Sequence, residues 1–88
     1  MFVIEDGIHA EWVGPCERLE DALAELRRRA AIPWDQPPNR PPCTSSQTCR
    51  REYELQEYDA SQTPWKLLRR APVLNISARG AEWVGGFE

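Results

Sequence analysis

The chain opens Phe2-Val3-Ile4-Glu5-Asp6-Gly7 and continues, two residues later, with Ala10-Glu11-Trp12-Val13-Gly14. The last five of these recur near the other end as Ala81-Glu82-Trp83-Val84-Gly85. An identical pentapeptide containing a Trp seldom arises by chance in 88 residues. Each copy follows an apolar run and a Gly-containing turn: Phe2-Val3-Ile4 then Asp6-Gly7, and Val73-Leu74-Asn75-Ile76 then Arg79-Gly80. Apolar runs broken by such turns read as hairpins, here over 2–5 with 8–13 and over 73–78 with 81–84. A solenoid would carry a short period through the whole chain. The two copies instead start 71 positions apart (81 − 10) and bracket unrelated material. The repeat is therefore read as architectural: two hairpins of one sheet, each placing a Trp and a Val on opposite faces by strand alternation.

Between the hairpins the period changes. Gly14-Pro15 is expected to break the first hairpin. From Glu17 to Ile32, Leu19, Ala22, Leu23, Leu26 and Ala30 recur at spacings of three and four, the signature of one helix face. Glu17, Glu20 and Asp21 crowd the first turns and Arg27, Arg28 and Arg29 the last, each complementing the helix dipole. Pro33 stops the helix. Residues 33–50 have no usable periodicity and hold five prolines followed by Cys43-Thr44-Ser45-Ser46-Gln47-Thr48-Cys49. Arg51 to Tyr58 reads as a strand with Arg51, Tyr53, Leu55 and Glu57 on one face and Glu52, Glu54 and Gln56 on the other. Thr63-Pro64 is a helix-start pair, which predicts a short helix over 64–70 ended by Pro72.

The order β-β-α-loop-β-(short α)-β-β makes residues 1–88 one α+β domain. The expectation is a small antiparallel sheet of about four or five strands with the long amphipathic helix packed on one face. A short second helix and a long Pro/Cys-containing loop complete it. The four tryptophans, Trp12, Trp34, Trp65 and Trp83, are expected at the core or its edge, since each buries a large apolar area.

Composition bounds the function. The chain has 41% apolar residues and a net charge of −3, which disfavours nucleic acid as a partner because phosphate backbones call for positive charge. The opening residues carry no basic segment followed by a long apolar run, and nothing approaches the length of a membrane span. A cytoplasmic protein without a membrane partner, its cysteines reduced, is expected. Ten of the eleven basic residues are Arg. With abundant Ala and Pro, this fits a GC-rich bacterial genome and makes Arg the default cation rather than a signal.

Chemistry is sparse. Cys16, Cys43, Cys49 and His9 number the four ligands of a structural zinc. Five residues separate Cys43 from Cys49 and six separate His9 from Cys16, so no zinc-knuckle spacing is present. A Cys43–Cys49 disulfide would close a short polar loop and contribute about 2 kcal/mol. In a reducing compartment it would act as a reversible clasp, with Arg40, Arg50 and Arg51 nearby to activate the thiols. No nucleophile elbow, P-loop, dinucleotide fingerprint or His-Glu-x-x-His is present, and a Cys16–His9 pair has no supporting spacing. The leading expectation is a non-catalytic bacterial binding or regulatory module without a cofactor. It would meet a protein partner through Trp34, Arg40, Cys43 and Cys49 on the 33–50 loop, since binding residues concentrate on loops. The alternative is a thiol-based redox or structural-metal protein using Cys43 and Cys49. The terminal hairpins also offer edge strands to a second copy, as in a homodimer.

Overall fold

A computed structural model describes residues 1–40 and 50–87. Its elements are β1 (Phe2–Asp6), β2 (Glu11–Cys16), α1 (Leu19–Ala30), β3 (Arg51–Asp59), β4 (Lys66–Ser77) and β5 (Gly80–Trp83). The strands form one antiparallel sheet in the order β2-β1-β3-β4-β5. The expected sheet-and-helix architecture is present, and the two copies of Ala-Glu-Trp-Val-Gly fall on its two outermost strands.

The helix forms where the apolar spacing placed it. Ala22 and Leu26 are fully buried, with Leu19, Leu23 and Ala30 packed beside them. They meet Ile4, Tyr53, Leu55, Val73, Leu74 and Ile76 from the sheet, which close the core. No helix among the described residues is long and apolar enough to cross a membrane.

Three expectations need correction. The segment expected as a second helix is strand: Lys66–Arg70 pairs with Gln56–Asp59 of β3 as the first part of β4. Thr63-Pro64 does carry helix-start chemistry, but so short a helix is marginal alone, and ladder pairing with β3 overrides local propensity. Gly14-Pro15 does not end its strand, because β2 runs through to Cys16 with an irregular register opposite Phe2 and Ile4. The first hairpin turns through residues 7–10, so His9 lies in the turn rather than on a strand.

Two register shifts shape β4. Leu74 faces Tyr53 and Pro72 faces Glu54, which leaves Val73 as an extra residue. Pro72, lacking an N–H, thus sits beside a bulge where the ladder is already interrupted. Val73 and Leu74 are both buried. Farther along, Arg69 faces Glu57 and Leu67 faces Tyr58, so Leu68 has no partner in β3. The molecule measures 41 × 21 × 19 Å. The turns and the 33–40 segment gather at one end of β3. At the other end, β3 and β4 continue as an arm joined by residues 60–65.

Candidate functional site

At the turn end, charged side chains are buried together. Asp6 is in phase with Ile4 and so points to the helix side of β1. Its Oδ1 accepts the N–H groups of Ile8 (3.0 Å) and Glu52 (3.1 Å), and its Oδ2 lies 2.5 Å from His9 Nδ1 and 2.9 Å from Arg51 Nη1. Burial pushes the Asp6 carboxyl up. The His9 hydrogen bond, the Glu52 and Ile8 amides and Arg51 outweigh it, and the group is held below its ordinary value.

Arg51 joins four segments. Its Nη1 reaches Asp6 and Glu11, and its Nε and Nη2 donate to the carbonyl oxygens of Asn39 and Arg40 at 2.9 Å each. Asn39 in turn donates from Nδ2 to the carbonyls of Arg29 and Ile32 at 2.8 Å each, closing the end of α1. The Tyr53 hydroxyl donates to Asn39 Oδ1 (3.3 Å) and accepts from Arg29 Nη1 (3.0 Å). Burial pushes the Tyr53 phenol up, only partly offset by Arg29 and Arg51.

An open cleft of about 500 Å³ lies beside this network, lined in part by Glu11, Pro38, Arg51 and Tyr53. Its polar walls are already engaged with one another, because Arg51 and Tyr53 direct their hydrogen-bonding groups to protein partners. The cluster fastens the 7–10 turn and the 33–40 segment to the sheet.

The predicted site residues are dispersed. Trp34 is half-buried against the core. Arg40 is exposed, and its carbonyl anchors Arg51. Cys43 and Cys49 lie outside the described residues, as does the clasp or metal they would form. Cys16 faces Phe2 across the ladder while His9 lies in the turn past the other end of β1, which separates that pair. Burial, then Asp21 and Glu25, pushes the Cys16 thiol up, away from thiolate chemistry. Among the described residues no three His, Cys, Asp or Glu side chains are grouped to hold a metal.

The tryptophans are less buried than expected. Trp12 is 67% exposed, Trp83 50% and Trp65 40%. Trp12 faces Glu5 across the ladder and points to the open face of the sheet, where its Nε1 bonds Glu5 Oε2. On that face Glu5 and Glu54 stand directly opposite each other. Gln56 relieves the repulsion by donating from Nε2 to both carboxylates, at 2.8 and 2.9 Å, while Tyr58 donates to its Oε1 at 2.7 Å. Trp83 faces Leu74 on the helix side and borders an apolar pocket of about 210 Å³ with Leu19, Leu23, Leu55 and Phe87.

The arm is the other exposed feature. Trp65 lies against Tyr58, with ring centroids 6.1 Å apart. Leu67 and Leu68 follow it, both exposed. The expectation of a short helix over 64–70, with Trp65 at the core or its edge, hid this surface from sequence reasoning. Residues 66–71 run polar-apolar-apolar-polar-polar-apolar, with no period-two alternation, so the local pattern offered no strand signal.

Comparison with protein families, with curated proteins and with solved structures finds no match.

Proposed function

We propose that this chain is a small non-catalytic binding module whose protein contact surface is the β3–β4 arm. The observation that carries it is the run of exposed Trp65, Leu67 and Leu68 at the end of the molecule away from the core. Apolar side chains gathered at the surface, with an aromatic among them, are the raw material of binding hot spots. The polar cluster around Arg51 supports the same reading, because its groups bond one another and leave the turn end as a rigid scaffold. Trp34 and Arg40 then serve as struts of that scaffold.

Capture experiments test this. Tagged wild type, a Trp65→Ser/Leu67→Ser/Leu68→Ser variant and an Arg40→Glu variant are used as bait in lysate from cells that carry the gene. Circular dichroism checks each fold. The arm variant is expected to lose the proteins that wild type and Arg40→Glu retain. Retention by the arm variant with loss by Arg40→Glu returns the contact surface to the 33–50 loop. An identical set from all three removes the arm as the site.

A further inference from the structure

Among the described residues, β4 is paired on its inner side from Lys66 to Ile76 by β3, but on its outer side only from Leu74 to Ser77 by β5. The Val84 N–H extends that outer contact to the Val73 carbonyl at 3.0 Å. The tail then turns onto the helix side of the sheet, where Phe87 lies against Phe2 and beneath the Arg69 guanidinium. Lys66 to Ala71 therefore present an outer edge without a strand neighbour, a template for main-chain pairing with another chain.

Resting on the binding-module reading, we propose that this edge accepts an extended acidic segment of a partner protein as an added strand. From Trp65 to Ala71 the edge carries Lys66, Arg69 and Arg70 and no acidic residue, on a chain whose net charge is −3. Arg69 is engaged by Glu57 at 2.6 Å. Arg70 pairs with Glu54 at 3.7 Å, a longer contact than that of Arg69, and its side chain is 64% exposed to a partner. The carboxylates Glu54, Glu57 and Asp59 all lie on β3, one strand further in, so a strand added at the edge meets the cations first. A nucleic-acid strand laid across the sheet face would meet those carboxylates as well. A second copy of this chain is the poorer occupant. Antiparallel pairing centred on Leu68 puts Lys66 opposite Arg70 in both halves, and like charges directly opposite are destabilising.

The test uses the full chain, labelled for amide NMR. The probes are an alternating Glu-Val peptide, its Lys-Val counterpart, a backbone N-methylated Glu-Val peptide and a single-stranded oligothymidylate. The Glu-Val peptide is expected to shift the amides of Lys66–Ala71 and to bind roughly tenfold more tightly than Lys-Val, the sum of a few cross-strand charge pairs. N-methylation is expected to abolish binding, and Lys66→Glu/Arg70→Glu to reverse the charge preference. Should that variant not fold, the peptide comparison on wild type decides alone. Equal binding of both peptides overturns the inference. So do shifts centred elsewhere, tighter binding of the oligonucleotide at the same amides, or sedimentation showing a wild-type dimer that protects them. No peptide selectivity, with captured partners still lost in the Trp65 variant, removes the acidic strand and keeps the binding module. Capture unaffected by the arm variant removes both.

Discussion

Ala10 and Ala81 begin identical pentapeptides but occupy different backbone conformations. Ala10 closes the 7–10 turn with φ 54°, in the left-handed region that a Cβ disfavours. Ala81 is extended in β5, opposite Ile76. The two hairpins differ in the chain between their last pairs: four residues link Asp6 to Glu11, and two link Ser77 to Gly80. The copies then enter their strands in opposite phase, Trp12 facing the open side and Trp83 the helix side. Identical substitutions should therefore act with opposite sign. Ala10→Gly is expected to stabilise by about 0.5–1 kcal/mol through relief of the left-handed strain, and Ala81→Gly to destabilise by a similar amount. Urea denaturation of the two variants checks the pair, and a shared sign would refute this account of the turn. Asp6 supplies a second residue-level expectation. Its folded-state carboxyl titrates below the ordinary value of 3.8, so the unfolded chain takes up its proton first as pH falls. The stability contributed by the carboxylate is complete above that value and is lost as pH drops through the folded-state one. Asp6→Asn should cost about 3 kcal/mol near neutrality, because it leaves Arg51 with a buried, weakened partner. The gap between wild type and variant should narrow below about pH 4 in denaturant titrations. A gap that stays constant down to the acid limit contradicts the assigned role.

Elements were legible to the degree that their residues had a local reason for their conformation. The α1 helix was plain because the spacing of Leu19, Ala22, Leu23, Leu26 and Ala30 admits one periodicity, and because charges of the right sign mark both ends. The first part of β4 was not, because Thr63-Pro64 carries genuine helix-start chemistry and the winning interaction, pairing with β3, is non-local. The Arg51 cluster was partly legible. Asp6 is in phase with Ile4, Arg51 with Tyr53 and Leu55, and Arg29 stands three positions after Leu26, so each charge falls on an apolar face. What no spacing shows is that they meet, since Asp6 and Arg51 are 45 positions apart. Asn39 was invisible for the same reason: a loop Asn becomes a helix cap only once the chain has turned back on α1. Its worth can be measured. Asn39→Ala removes two donors from the carbonyls of Arg29 and Ile32 and one acceptor from Tyr53, all in a buried setting. The expected loss is about 1–3 kcal/mol, with the end of α1 fraying first, read as faster amide exchange at Ala31 and Ile32. A uniform change in exchange throughout the chain would mean that Asn39 acts on global packing rather than on the helix end.

Across the whole molecule, stability and accessibility run in opposite directions between the turn end and the arm. The turn end is tied by the Asp6–Arg51 pair, the Asn39 cap and the core beneath α1. Among the described residues, the arm is held by its own two strands, the Trp65 ring against Tyr58, the Phe87 tail and an N-terminal contact. In that contact the Tyr58 N–H donates to the Met1 carbonyl at 2.8 Å and the Met1 ammonium donates to the Tyr58 carbonyl at 3.0 Å. Cooperative opening should therefore begin at the arm, because few buried apolar contacts hold it closed. Amide exchange in the native state is expected to form a gradient. Tyr53, Leu55 and Leu74 should exchange near the global unfolding limit, while Tyr58, Leu67 and Leu68 should exchange by opening at least an order of magnitude more often. The gradient bears directly on binding. An edge that is loose when free gains order when a strand is added, so a partner on β4 should raise protection at Tyr58 as well as at the paired residues, while protection at Tyr53 changes little. Equal protection of Tyr53 and Tyr58 in the free chain would show the arm to be as firmly held as the core. The free edge from Lys66 to Ala71 would then be a finished surface rather than one completed by a partner.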